Sequence, residues 1–373
     1  LRGIGPQPSS TQEKELYNLK TQIIKIDTGA PDWDKQLDPA AEILRSGGLV
    51  AFPTETVYGL GANALDESAV KAIYEAKGRP SDNPLIVHIA DTTAVKDLAD
   101  NVPEAAQALM DAFWPGPLTL VMPRSSLVPD IITAGLDTVA VRMPSHPIAS
   151  ALIKKAGVPV AAPSANSSGR PSPTLARHVI EDLMGKVDVI IDGGNAEVGV
   201  ESTVLDITVT PPAILRPGGV TLEQLRRVMS DVVGDRLPDA ADMSGVPKSP
   251  GMKYRHYSPK ATMLLLQGTP EQVAAEISKR AELYHREGTA VGILVTDETA
   301  ALYEPSLYSY CKILSLGSRR EPETLASNLF RCLREFDEKG VEVIMAETTD
   351  VSGIGQAVMN RMIKAAGGNI IKL

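Results

Sequence analysis

A chain of 373 residues with 43% apolar and 22% charged side chains has the composition of a soluble globular protein of two or three domains, which excludes wholesale disorder, collagen-like repeats and low complexity. Its 37 basic and 46 acidic residues give a formal net charge of −9, which argues against a protein that coats nucleic acid over a broad face. Aromatic residues are only 4%, so aliphatic residues and Met must fill the cores, and no run approaches the roughly 18 apolar residues of a membrane span.

Residues 1–20 lack the apolar core of a signal peptide and read as a polar, mobile arm. The chain begins at Leu1 without an initiator Met, which fits either processing or an arbitrary boundary of the sequence. Residues 23–27 alternate and are β-branched, predicting a strand. Pro39 suits the first turn of a helix carrying Ile43 and Leu44 and stopped by Gly47-Gly48. A short strand follows at 49–53. Asp66 caps a predicted helix at 66–76, in which Val70, Ile73 and Tyr74 recur at helical spacing. Strands are predicted at 85–89, 118–122, 138–142, 158–162, 187–192, 202–208 and 212–216. Helices are predicted from Pro103 to before Trp114, and at 147–156, 174–184 and 221–229. The irregular mixture with short strand connections predicts a mixed α/β sheet over residues 21–230.

Periodicity fades over 231–260, a linker that ends in Ser249-Pro250-Gly251-Met252-Lys253-Tyr254-Arg255-His256-Tyr257-Ser258-Pro259. Such a run of cations and aromatics is either a surface loop or a functional segment. From 261 to 373, strands at 262–266, 290–295, 311–316, 341–346 and 369–373 alternate with helices at 270–286, 322–338 and 355–366, predicting a smaller parallel α/β domain. Cys311 and Cys332 have no Cys or His partner at zinc-ligand spacing and read as buried apolar groups in a reducing cytoplasm.

Ligands gather beyond the strand ends of α/β sheets, and four segments of the first domain place polar groups there. Pro53 to Gly61 brings Thr hydroxyls and glycines that permit close backbone approach, or simply a turn. Lys77-Gly78-Arg79-Pro80, followed by Asn83 and His88, offers two cations that could converge on a polyphosphate or complement a helix C-terminus. His88, within an apolar strand, also suits a satisfied core histidine. Ala161 to Pro173 delivers Ser164, Asn166, Arg170 and Ser172 ahead of a helix, in a position to cradle phosphate or to cap. Gly199-Val200-Glu201-Ser202-Thr203 and Arg216-Pro217-Gly218-Gly219 form the fourth. Arg142, inside an apolar strand, and Arg216 are ligand clamps or members of structural ion pairs. There is no Walker A loop, no nucleophile elbow and no His/Cys/Glu cluster of catalytic-zinc type, so no protein metal site is expected. Cations, hydroxyls and amides suit electrostatic stabilisation of a phosphate-bearing transition state better than a protein nucleophile. The acid excess, 17 basic against 25 acidic residues over 21–228, means that any anion site is built from a few placed cations.

In order along the chain stand Pro-Thr-Glu-Thr-Val-Tyr-Gly-Leu-Gly (53–61), Lys-x-Arg-Pro (77–80), Asn-Pro-Leu-Ile-Val-His (83–88), Trp-Pro-Gly-Pro-Leu-Thr (114–119), Pro-Ser-Ala-Asn (163–166), Gly-Val-Glu-Ser-Thr (199–203) and Leu-Arg-Pro-Gly (215–218). Together they resemble the YrdC-like family of L-threonylcarbamoyladenylate synthases. With the 249–259 linker and the second α/β domain, the chain is similar to the family's long, two-domain form over about residues 21–373. The resemblance implies a twisted mixed sheet around a basic cavity, then a Rossmann-like domain. It implies that L-threonine, bicarbonate or carbon dioxide, and ATP give threonylcarbamoyl-AMP, pyrophosphate and water, and that a partner complex passes the threonylcarbamoyl group to tRNA. It assigns Lys77, Arg79, Ser164 and Asn166 to the nucleotide and the reacting carbamate as the catalytic set. Thr54, Tyr58, His88, Arg142 and Ser202 fall to threonine or its carbamate. Asn83, Thr119, Ser172, Arg216 and Tyr254 join the catalytic set around ATP, with Tyr254 in a linker that gates the cavity. Magnesium would arrive with ATP. Two alternatives remain at this point: a YrdC-like enzyme that adenylates a carbamoyl group, disfavoured by the lack of zinc-finger cysteines, and a non-enzymatic RNA-binding module, disfavoured by the net charge; weak tRNA contact is compatible with either chemistry.

Overall fold

The computed structural model describes residues 19–234 and 256–373. Nearly all of the expected arm, and most of the expected linker including Tyr254, lie outside the described residues. The first sheet is built from β1 (Gln22–Lys25), β2 (Val50–Pro53), β3 (Tyr58–Asn63), β4 (Ile86–His88), β5 (Leu118–Pro123), β6 (Thr138–Arg142), β7 (Val160–Ala161), β8 (Val189–Asp192), β9 (Thr203–Asp206) and β10 (Ala213–Arg216). These pair in the order β1-β8-β2-β3-β7-β4-β6-β5-β9-β10. The sheet is mixed: β8 runs parallel to β1 and β2, β4 to β6 and β5 to β9, whereas β3 is antiparallel to both neighbours.

Helix signals hold where local chemistry is strong. The Asp66 carboxylate accepts from the backbone N–H groups of Ser68 and Ala69 and starts the helix Glu67–Lys77, which Gly78 ends in the left-handed conformation at φ 60°; an N-cap carboxylate and a left-handed C-terminal glycine satisfy the helix's orphan groups at its two ends. β3 departs from expectation, because Tyr58-Gly59-Leu60-Gly61 reads as a turn but forms a fully paired strand. A Cβ at Gly61 would stand 2.7 Å from the Phe52 ring and 2.8 Å from Val160, so glycine here serves cross-strand packing.

The second sheet comprises β11 (Thr262–Gln267), β12 (Val291–Val295), β13 (Cys311–Ser315), β14 (Val343–Glu347) and β15 (Ile370–Lys372), ordered β13-β12-β14-β11-β15. Every pairing in it is parallel, as strand–helix alternation predicts. The domains share an apolar seam, in which Val57 and Val200 of the first pack in one cluster with Leu329, Phe330 and Leu333 of the second. Contact there is backbone-close: a Cβ on Gly199, already at φ 76°, would lie 2.3 Å from the Cα of Ser327.

Candidate active site

Beyond the ends of these strands the first domain holds an open cavity, at the place where ligands gather in α/β sheets. It gathers Thr54, Lys77, Arg79, His88, Arg142, Ser164, Asn166, Ser172, Ser202 and Arg216, residues spread over 163 positions of sequence, together with Arg170, Glu201, His256 and Tyr257.

Lys77 ends its helix beneath the 164–170 loop. Its buried ammonium donates to the carbonyls of Ser164 and Asn166, the latter at 2.5 Å. Ser164 Oγ donates to Asn166 Oδ1 at 2.5 Å, and Asn166 Nδ2 donates to the carbonyls of Ser167 and Arg170. Two motifs that are separate in sequence are therefore one hydrogen-bonded unit. Burial, reinforced by the neighbouring Arg79 charge, pushes the Lys77 pKa well below the usual lysine value. Burial likewise lowers Arg79 to about 10. Arg79 Nη2 donates to the Pro84 carbonyl at 3.2 Å, which ties its loop to β4. An arriving anion favours the charged form of both groups and opposes these shifts.

On the opposite wall Arg142 Nη2 lies 2.7 Å from Glu55 Oε1, both groups buried. Burial raises the Glu55 carboxyl, but the charge and hydrogen bond of Arg142 outweigh it and hold the pKa below its ordinary value. Burial, then Arg142, depresses His88 to about 3, so its imidazole is neutral at pH 7. Of the two readings of Arg142, the structure shows the ion pair, and it also places this arginine in the cavity lining. Arg216 Nε and Nη2 donate to the Ser202 carbonyl at 3.1 and 2.9 Å, and Nη2 reaches Ser202 Oγ at 3.1 Å. Gly218 lets this loop pass, since a Cβ there would stand 2.3 Å from the Glu201 carbonyl.

Three expected residues are not in the cavity lining. Tyr58 faces the core, and its hydroxyl donates to the Gly194 carbonyl at 2.6 Å. Because β3 is a strand, alternation sends Val57 and Gly59 to the cavity and Tyr58 and Leu60 to the other face. Thr119 stands behind the wall, its hydroxyl 2.8 Å from Ser202 Oγ. Asn83 is fully buried, and its carbonyl accepts from Tyr74 and from Arg79. Tyr254 lies outside the described residues. In the other direction, Glu201 lines the cavity unanticipated although it stands inside a quoted motif, and Arg361 and Arg334 of the second domain reach this region. Arg334, fully buried, donates to the Pro171 carbonyl at 2.7 Å and pairs with Asp182 at 2.8 Å. For Arg361 the available signal was an arginine among Ile354, Ala357, Val358 and Ala365 at helical spacing; Arg334, with Arg331, Asp337 and Glu338 at that spacing, offered none.

The profile of a domain described as "Telomere recombination", of the Sua5/YciO/YrdC type, matches residues 42–218, and that of the threonylcarbamoyl-AMP synthase C-terminal domain matches 220–367. A threonylcarbamoyl-AMP synthase from Pyrococcus abyssi is 49% identical over 355 residues, covering 95% of this chain and all of the relative. The chain belongs to the threonylcarbamoyl-AMP synthase family. A Bacillus subtilis synthase is 50% identical over 91% of this chain and 95% of its own length. The fold agrees with that of P. abyssi Sua5 solved in complex with L-threonine, at a TM-score of 0.88 and 48% identity over 95% of this chain and all of that one. Members of the family make the threonylcarbamoyl adenylate used in tRNA modification, and this chain is an enzyme of that kind. Among the described residues no helix is long and apolar enough to cross a membrane.

Proposed function

We propose that the cavity joins L-threonine, bicarbonate or carbon dioxide, and ATP into threonylcarbamoyl-AMP as a nucleotidyltransferase, releasing pyrophosphate and, when bicarbonate is the carbon source, water. The observation that carries this reading is the charge of the wall: Lys77, Arg79 and Arg216 line it outside any salt bridge among the described residues, beside Arg142 and Arg170, which pair with Glu55 and with Glu181 and Asp182. The threonine complex of the P. abyssi relative supports threonine as the amino-acid substrate.

In this reading Arg142, Thr54, His88 and Ser202 hold threonine. Its amine forms a C–N bond to carbon at the carbon dioxide level and sheds a proton, giving a carbamate; water is the by-product when bicarbonate is the source. A carbamate oxygen then bonds to the α-phosphorus, and the bond to the β-phosphate breaks, with pyrophosphate taking the electron pair. Charge grows on phosphate oxygens. Lys77 has three donors, two of them on carbonyls, and aims the third at a phosphate. Arg79, Ser172 and Arg216 line the same space for ATP, with Ser164 and Asn166 shaping the bend between nucleotide and carbamate. His256 and Tyr257 line it from the far end of the linker, a place suited to excluding water from a hydrolysable carbamate. Magnesium enters as the counter-ion of ATP. The described lining fits that role better than a protein-held ion, because its carboxylate, that of Glu201, is already engaged by Ser172 and Arg361. The product passes to a cytoplasmic tRNA threonylcarbamoyl-transfer complex.

Pyrophosphate release tests this, with threonine, bicarbonate and magnesium-ATP each omitted in turn. Release is expected only with all three. Release with threonine alone would mean plain amino-acid adenylation, release with a carbamoyl donor in place of threonine and bicarbonate would mean carbamoyl adenylation, and RNA binding without any release would mean a binding module.

A further inference from the structure

Glu201 is out of place in a cavity built for polyanions. Its side chain is buried and lines the wall beside Ser172, Ser202 and Arg216. A bare carboxylate there would repel phosphate at close range, where the interior screens little. The carboxylate is not bare. Oε1 accepts from Ser172 Oγ at 2.6 Å, and Oε2 accepts from Arg361 Nε at 2.9 Å. Arg361 comes from the other domain, on the helix Gly355–Ala365, and is fully buried. Its Nη1 donates to the Pro217 carbonyl at 2.8 Å, next to Arg216, and its guanidinium lies 5.4 Å from the centre of the Tyr257 ring. Arg361 is itself absent from the lining, yet it touches three of the segments that form it.

We propose that Arg361 is a positioning residue for the nucleotide: the second domain uses it to neutralise Glu201 and, through that carboxylate, to orient the Ser172 hydroxyl in the ATP site. This rests on the reading of the cavity as an ATP site. Affinity for the nucleotide is then set partly from a domain that contributes no described side chain to the wall itself. The second domain is accordingly part of the site's electrostatics and not only its support. Losing one partner of a buried, hydrogen-bonded charge pair leaves the other as a buried charge, which is costly, and here that charge would face the phosphates of ATP.

The test uses full-length protein with R361M, E201Q and the R361M/E201Q double variant, reading KM for ATP and kcat in pyrophosphate release, and threonine affinity by calorimetry without ATP. R361M is expected to raise the KM for ATP by about 10–100-fold, with kcat at saturating ATP within about threefold and threonine affinity unchanged. E201Q keeps the Arg361 cation, removes the carboxylate, and is expected to lower the KM for ATP. The double variant, freed of the orphaned charge, is expected to recover most of what R361M loses. Equal damage in the double variant and R361M, or loss of threonine affinity in parallel with ATP, would mean packing alone and overturn the proposal. If R361M does not fold, E201Q decides: a rise in its KM for ATP overturns the charge argument. Wild-type protein that neither binds nor turns over ATP would sink the reading of the cavity itself, whereas wild-type turnover with an unchanged KM in R361M sinks only the role of Arg361.

Discussion

The two sheets end in polar clusters of opposite character. In the second domain Glu347 sits at the carboxyl end of β14, beside the end of β12, where a ligand crevice would be sought. Its Oε1 accepts from the Thr296 backbone N–H and from the hydroxyls of Thr296 and Thr299 at 2.6–2.8 Å, and its Oε2 pairs with Arg319 at 3.0 Å. The charge of Glu347 is paired within the cluster. In the first domain the cations outnumber the described carboxylates around the cavity, and burial keeps Lys77 and Arg79 below their ordinary pKa values. The place beyond the strand ends is common to both; only in the first domain do cations, Lys77, Arg79 and Arg216, line it outside any salt bridge among the described residues. Such cations suit an anion site, and self-satisfaction suits a structural knot.

Three substitutions sharpen or break this contrast. The largest effect is expected at Lys77: Lys77→Ala should lower kcat/KM for pyrophosphate release by roughly 10²–10³, the scale of losing one preorganised donor, while circular dichroism and melting show a folded protein. A loss below tenfold would place the developing charge elsewhere. Next is Glu347→Leu, which strands Arg319 and two threonine hydroxyls. It should cost about 1–3 kcal/mol of stability in a urea titration, with pyrophosphate release per folded molecule unaltered; altered kinetics would make the second cluster functional. The smallest effect concerns Glu298, exposed at the same end of the second domain. The Arg319 backbone N–H, then the Ser318 hydroxyl, hold its carboxyl down at about 2. A carboxyl depressed in the folded state contributes stability above its unfolded pKa, near 4.5, and loses it as the pH falls toward about 2. Glu298→Gln should therefore lower stability slightly at pH 7, where that contribution is fully present, and flatten the fall at lower pH so that variant and wild type converge near pH 2, as read from melting temperature against pH.

Much of the architecture is legible in local chemistry. Asp66 and Gly78 bound their helix through capping, Thr269 opens Pro270–Arg286 with a reciprocal capping box to Gln272, and regular strand–helix alternation specifies the parallel second sheet. β3 escapes because two glycines lower strand propensity, and their purpose, room for Phe52 and Val160, lies on other strands. Missing β3 also misplaces Tyr58, since only in a strand must neighbouring side chains take opposite faces.

The same division runs through the site. The family resemblance carried by the motifs implied the chemistry and named ten of the residues that line the cavity, because those groups sit in short segments at strand ends, where a few consecutive residues carry the signal. The tertiary structure alone decided that Lys77 and the 164–166 segment form one unit, that Thr119 and Asn83 stand behind the wall, and that Arg361 reaches Glu201 across 160 positions of sequence. Helical and strand periods record which face of an element is apolar. They do not record which distant charge a buried arginine will meet, and that meeting is set by how the two domains pack.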